Sequence, residues 1–122
     1  MFIKRKTTLM KDLQRAELRG SDLRHSNFEG ANLRRADLRD VNAAGTCFDN
    51  ADLRGAAFYR ADFRNASLVG ADLREGRFMG CDLEGANLEG ANLRGAFLEG
   101  ARLQGATLPS NLEGVNLEYT FV

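Results

Sequence analysis

The feature that most constrains the fold of this chain is a five-residue repeat. Residues 86–100 read ANLEG ANLRG AFLEG, and in the same frame twenty consecutive pentads run from Lys11 to Ser110. The third residue of the pentad is Leu in 14 units, Phe in five and Ala43 in one. The first is Ala in 13 units, and the fifth is Gly in 11. Such regularity indicates a repeat architecture in which each unit packs on its neighbours.

A period of five fits neither an α-helix nor a straight β-strand, whose periods are 3.6 and 2. Positions 1 and 3 of a pentad are two residues apart, so in an extended segment both face the same side. The sequence therefore predicts that positions 1 and 3 point inward and position 2 points outward. Positions 4 and 5 then turn the chain, and Gly suits this corner because it adopts positive φ at little cost. The result is a coil wound around its own interior, with coils stacked at about 4.8 Å.

The repeat also sets the organisation of the chain. We assign residues 1–10 to an N-terminal cap, 11–119 to the repeat and 120–122 to a C-terminal tail. The frame slips by one residue near 109–110, after which SNLEG VNLEY resumes it. The apolar end formed by Tyr119, Phe121 and Val122 is predicted either to cover the last coil or to form a two-fold dimer contact.

Four pentads, ADLRD (36–40), ADLRG (51–55), ADLRE (71–75) and ANLRG (91–95), resemble the A(D/N)LXX unit of the pentapeptide-repeat family. The resemblance implies an all-β fold, a right-handed quadrilateral parallel β-helix of about five to six coils with four pentapeptides in each. One internal observation agrees with four sides. Phe28 and Phe48 lie four pentads apart, as do Phe58 and Phe78, which is the spacing expected of rings stacked in successive coils.

With four pentads in a coil, outward residues form columns along the axis. One column contains Arg34, Arg54, Arg74 and Arg94. It is either a basic strip for an acidic partner or a solvated face neutralised by the adjacent Asp column, and we favour the second interpretation. The next face carries Tyr59, Met79 and Phe97, which form either a contact surface or a scatter of surface apolar residues.

Three inner or outer positions depart from the pattern. Ala43 is expected to leave a void near Phe63 or to cause a local bulge. Cys81 faces inward and should be inert, whereas Cys47 faces outward and would react if no neighbour covers it. Two coil levels and one face separate the two thiols, which is too far for a disulfide.

Composition bounds the function. Lys and Arg number 17, as do Asp and Glu, so the net charge is zero, although residues 1–61 carry +4 (12 against 8) and residues 62–122 carry −4 (5 against 9). We therefore expect neither direct nucleic-acid binding nor a membrane partner. The absence of a signal-peptide pattern and the two Cys residues predict a cytoplasmic location.

The chain contains no set of residues suited to catalysis, metal binding or phosphate binding. We thus predict that it is not an enzyme, with no catalytic residue, no cofactor and no metal site. The favoured function is a non-catalytic protein-interaction module or scaffold for an unknown protein partner, and a monomer is favoured over a C-terminal dimer. The resemblance implies one alternative, a DNA-mimicking protein that binds gyrase or a related topoisomerase. Zero net charge and a rod of only about 25–30 Å argue against it.

Overall fold

In a computed structural model the chain is described over residues 12–122, and there each pentad forms one side of a coil. The predicted cap, residues 1–10, lies outside the described residues. Within them the backbone forms parallel bridges between single residues, for example Asp12 with Asn32, with no helix and no longer strand. These bridges join each coil directly to the next.

The bridges form four ladders, and each ladder defines one face of the rod. The bridging residues are 12, 32, 52, 72 and 92 on face 1; 17, 37, 57, 77, 97 and 116 on face 2; 22, 42, 62, 82, 102 and 121 on face 3; and 27, 47, 67, 87 and 107 on face 4. The predicted right-handed, four-sided parallel β-helix is thus confirmed.

Backbone hydrogen bonds tie every inner coil to both neighbours. The Leu33 N–H donates to the Asp52 carbonyl of the next coil at 2.7 Å, and the Asp37 N–H donates to the Ala16 carbonyl of the preceding coil at 2.8 Å. Because the same pattern recurs on each face, the sides of the coil satisfy their polar backbone groups without a wide sheet.

The corners are four-residue turns that require positive φ at position 5. The Ala36 N–H donates to the Leu33 carbonyl at 3.0 Å, which closes the turn through Arg34 and Arg35. Values of φ at this position range from 57° at Arg35 to 74° at Gly20. Gly predominates because a side chain is strained in this region.

The interior is filled by positions 1 and 3, whose side chains are almost wholly buried. The five core phenylalanines form one continuous series of ring contacts. Centroid distances are 5.2 Å for Phe28–Phe48, 5.3 Å for Phe48–Phe63, 5.2 Å for Phe63–Phe58 and 4.2 Å for Phe58–Phe78. Both predicted stacks are therefore confirmed, and Phe63 joins them.

Ala43 stays in register, because its N–H donates to the Asp62 carbonyl at 2.7 Å and Asn42 bridges the coils on both sides. The bulge considered from the sequence is therefore wrong. One coil further on, the Phe63 ring stacks on Phe48, the pentad neighbour of Ala43.

The register changes once, near the C-terminus. Bridging partners are four full pentads apart up to Asn87–Thr107, and their separation is one residue shorter at Phe97–Asn116 and Arg102–Phe121. The one-residue slip thus falls after Thr107. The ladder continues to Phe121, which lies within the segment 120–122 that the sequence assigned to a tail. Across residues 12–122, no helix is long and apolar enough to cross a lipid bilayer.

Candidate interaction surfaces

The outward Asp or Asn at position 2 caps the corner of its own pentad. Its Oδ1 accepts the backbone N–H of position 4, as in Asp52 with Arg54 at 3.2 Å and Asn92 with Arg94 at 3.1 Å. The short side chain replaces a backbone partner that the turn cannot provide. Sequence reasoning missed this role, although the D/N preference of position 2 was its signal.

The same Asp residues also hold the arginines at position 4. In pentads that read DLR or DFR the guanidinium makes two hydrogen bonds to one carboxylate, as Arg54 does to Asp52 at 2.9 and 2.7 Å. The same paired contact occurs for Arg24–Asp22, Arg39–Asp37, Arg64–Asp62 and Arg74–Asp72. These ion pairs are partly or largely exposed, so each contributes little to stability.

The ion pairs shift the titration of the carboxylates. Hydrogen bonds from Arg24 lower the pKa of Asp22 to about 2. Hydrogen bonds from Arg54 and Arg74 likewise hold the pKa of Asp52 and of Asp72 below the usual range, although partial burial opposes the effect. The arginines of these pairs are correspondingly harder to deprotonate and remain charged at any physiological pH.

The predicted column of Arg34, Arg54, Arg74 and Arg94 is present on face 1, but its members are not equivalent. Arg54 and Arg74 are paired as described. Arg34 follows Asn32, and its hydrogen bonds go to the Asn32 and Gln14 side-chain oxygens, both at 3.3 Å. Its nearest carboxylate oxygen, Oδ2 of Asp52, is 3.7 Å away and already binds Arg54. Arg94 follows Asn92 and has no side-chain partner among residues 12–122.

The column borders a groove at the corner between faces 1 and 2, which we call the arginine groove. One depression of 360 Å³ is lined by Gln14, Arg15, Arg34, Arg35, Arg54, Gly55 and Glu75. A second, of 480 Å³, shares Arg54 and Glu75 and adds Arg74, Arg94 and Gly95. A third, of 560 Å³, opens towards Arg77 and Phe97 on face 2. The depressions share lining residues and therefore adjoin one another along this corner of the rod.

The predicted apolar surface on face 2 is only partly accessible. Tyr59 and Met79 lie in one column and are half-buried, whereas Phe97 is 42% exposed. Phe97 occupies position 2, where most pentads carry the capping Asp or Asn. Phe97 is thus the one prominent aromatic residue of this surface, and it lies beside Arg77, the residue with which it forms a bridge in the preceding coil.

The other exposed large apolar residues of the described chain lie in the last coil, in which Asn116 bridges Phe97 on face 2 and Phe121 bridges Arg102 on face 3. Leu117, Tyr119, Phe121 and Val122 are 37%, 81%, 53% and 86% exposed. We call these residues together with Phe97 the C-terminal apolar patch. Tyr119 and Val122 are the most exposed of these residues, and the assignment of this end to a cap or to a dimer contact stays a prediction.

The two cysteines differ in access. Cys81 is buried and Cys47 is half-buried. Burial raises the pKa of both thiols, far more for Cys81. Because the thiolate is the reactive form, neither is activated as a nucleophile. Residues 12–122 also contain no group of three or more His, Cys, Asp or Glu placed to hold a metal ion.

The pentapeptide-repeat family matches this chain in eight copies over residues 16–55, 46–85 and 81–109. The match covers most of the chain, which therefore belongs to the pentapeptide-repeat family. No curated protein sequence is significantly similar to it.

Solved structures show the same fold. A pentapeptide repeat protein from the cyanobacterium Cyanothece 51142 is 27% identical, with a TM-score of 0.77 over 91% of this chain and 86% of that one. One from the Arabidopsis thaliana thylakoid lumen is 33% identical, with a TM-score of 0.57 over 84% and 66%. Trypsin-treated QnrB1, a plasmid-mediated fluoroquinolone resistance protein, is 25% identical, with a TM-score of 0.61 over 86% and 64%. The present chain spans about two thirds of the last two.

Proposed function

We propose that this chain is a non-catalytic protein-interaction scaffold that binds a protein partner through the C-terminal apolar patch. The observation that carries the proposal is the exposure of Phe97 at a position where the fold favours a capping Asp or Asn. An exposed aromatic residue in place of a stabilising polar one is better explained by a contact than by folding. Leu117, Tyr119 and Phe121 are further exposed apolar residues in the adjoining last coil.

Two matched variants test the proposal. Phe97→Asp removes the aromatic contact and supplies the capping carboxylate, so the fold should be retained. Thr107→Asp places the same carboxylate at position 2 of face 4, on the opposite side of the same coil. Affinity capture from the native host, followed by reconstitution with purified candidates, should identify a protein that binds the original chain and Thr107→Asp but not Phe97→Asp. If both variants retain every binding partner, the patch is not the binding surface.

The patch also bears on the oligomeric state. We propose a monomer, because the exposed residues form a small patch and a stable homodimer generally buries a larger apolar area. Sedimentation velocity at several protein concentrations should give a single monomeric species. A dimer that Phe97→Asp or Tyr119→Asp dissociates would instead show that the partner is a second copy of the chain.

Topoisomerase binding by DNA mimicry is the second candidate, and the likeness to the fluoroquinolone resistance protein QnrB1 favours it. Zero net charge and the arginine groove oppose it, because a DNA mimic needs a predominantly negative surface. A gyrase supercoiling titration at low and moderate salt separates the two candidates. We expect no inhibition at either salt concentration; inhibition that persists at moderate salt would favour the mimic.

We further propose that the protein works in the cytoplasm. Both thiols are free, and a reducing compartment would keep the half-buried Cys47 in that state. The relative from a thylakoid lumen shows that the family is not confined to one compartment. Fractionation of the native host with an antibody against the chain tests this proposal, and recovery in an exported fraction would contradict it.

A further inference from the structure

The arginine groove has an excess of positive charge that the chain itself does not neutralise. Asp52 and Asp72 neutralise Arg54 and Arg74. Arg34 shares Asp52 with Arg54 at a longer distance of 3.7 Å. Four other arginines line the groove without a paired carboxylate among residues 12–122, namely Arg15, Arg35, Arg77 and Arg94. The acidic groups that oppose them are Glu75 within the groove and Asp12 and Glu113 near its two ends.

The charge is distributed unevenly along the groove. Arg15, Arg34 and Arg35 lie at the N-terminal end and Arg94 lies at the C-terminal end, whereas Arg77 lies in the same coil as Glu75, across the corner on face 2. Glu75 stands between these two ends of the groove, and the glycines at corner positions 55 and 95 leave the floor open on either side of it. A ligand that fits the groove should therefore carry negative charge at two points and not between them.

The separation of these two points selects the ligand. Arg34 and Arg94 are three coils apart, which corresponds to about 14 Å at the ~4.8 Å spacing of stacked coils. In an extended peptide, side chains four residues apart are separated by about 13.6 Å and lie on the same side. Carboxylates at this spacing can each meet a guanidinium, with which they form paired, charge-assisted hydrogen bonds.

We propose that the arginine groove binds an extended peptide segment of a partner protein with two acidic residues four positions apart and a neutral or basic residue between them. The N-terminal acid pairs with the arginines at the N-terminal end, the C-terminal acid pairs with Arg94, and a central basic residue meets Glu75. Nucleic acid fits less well, because its phosphates are uniformly spaced and would meet Glu75, Asp12 and Glu113. The groove adjoins the C-terminal apolar patch at Phe97, but the variants that test it leave the patch unchanged, so each proposal can fail alone.

Fluorescence anisotropy with synthetic heptapeptides tests the proposal on the full chain. The first peptide has Glu at positions 2 and 6 and Lys at position 4; the second has the same composition with the two Glu adjacent; the third has Gln in place of Glu. In about 150 mM salt, near the physiological value, the first peptide should bind about tenfold more tightly than the second. The third should show no measurable binding.

Variants locate the binding site. Arg34→Gln with Arg94→Gln removes two groove arginines. Arg34 has only a long, exposed contact of 3.7 Å with Asp52, and Arg94 has no paired carboxylate among the described residues, so stability should change little. Arg24→Gln with Arg64→Gln removes the same charge from face 3 and serves as the control. The first pair should weaken binding of the spaced-acid peptide about tenfold, and the control about twofold or less. Glu75→Gln should tighten binding of the peptide with adjacent Glu and reduce the preference for the spaced one.

Three results would overturn the proposal. Equal losses from the two double variants would show non-specific attraction by net charge. Equal binding of the spaced and adjacent peptides would show that the groove does not distinguish the spacing of the two Glu residues. Tighter binding of a twelve-residue oligothymidylate than of the spaced peptide would assign the groove to nucleic acid. Circular dichroism melting of each variant verifies that the fold is intact, and none of these variants alters Phe97.

Discussion

The repeat consensus and the packing of the core make opposite predictions for the effect of Gly76→Ala on stability. Gly76 holds position 1 on face 2, where the pentads above and below carry Ala56 and Ala96. Its φ is not positive, so its conformation does not require glycine. From the consensus alone, alanine should stabilise the fold by about 0.4–1 kcal/mol, because it reduces the freedom of the unfolded chain.

The structure predicts the opposite. A Cβ at position 76 would lie 2.7 Å from Cε2 of Phe78 and 3.0 Å from the carbonyl oxygen of Leu73. The ring cannot easily move, because it stacks on Phe58 at a centroid distance of 4.2 Å. The carbonyl is also held, because it accepts the N–H of residue 76 at 3.0 Å to close the corner. Overpacking of this kind costs about 1–3 kcal/mol, which exceeds the entropic gain.

Chemical denaturation followed by far-UV circular dichroism measures the effect, and a double-mutant cycle identifies its cause. In the chain with Phe78→Leu, the ring that clashes is absent, so Gly76→Ala should be neutral or stabilising. The coupling between the two positions should therefore be about 1–3 kcal/mol. If Gly76→Ala is tolerated beside Phe78, or costs the same beside Leu, the ring does not explain the glycine.

Three further results are expected. Ala71→Leu, at a position 1 that is 1% exposed, should lower the free energy of unfolding by about 1–3 kcal/mol, and an unchanged melting temperature would contradict tight coil stacking. The melting temperature should be constant from pH 8 to about 5 and fall below about pH 4. The reason is that carboxylates such as Asp52 and Asp72 have folded-state pKa values below their unfolded values and lose that stabilisation when protonated. Replacing both residues with Asn should flatten this dependence. Ellman's reagent should modify only Cys47 in the native protein, and the rate of modification should still rise above pH 9. The buried Cys81 should react only after unfolding. Two reactive thiols in the native protein would contradict the burial of Cys81.

The sequence was sufficient for the fold because its five-residue period is a property of the backbone. Positions 1 and 3 alternate with position 2 in any extended segment, and Gly at position 5 marks the corner. The number of sides is a different matter, because the period of five is compatible with more than one polygon. The resemblance to the family suggested four, and the spacing of Phe28 and Phe48 agreed with it.

The candidate surfaces were less predictable because they depend on outward side chains whose partners the period does not define. Counting charges suggested a neutralised face, which holds for Arg54 and Arg74. It holds less well for Arg34, which shares Asp52 with Arg54, and not for Arg94. In both pentads Asn at position 2 keeps the cap but lacks the carboxylate. The groove itself results from Gly55 and Gly95 at one corner, a shape that the sequence shows only after the faces are assigned.

The pentad and the coil of four pentads are two different periods of this rod, and they have different consequences for insertions and deletions. Removal of residues 71–75, one pentad, would join Gly70 to Gly76 and leave every inward residue inward, so the core would still close. Every later side chain would, however, move one face back, and Arg94 would take the place of Glu89 on face 4, which removes it from the groove. Only a change of four pentads, one full coil, preserves both core and surface, since Arg94 would then replace Arg74. A gene that gains or loses single pentads can therefore keep the fold of this protein while it redistributes every binding surface on it.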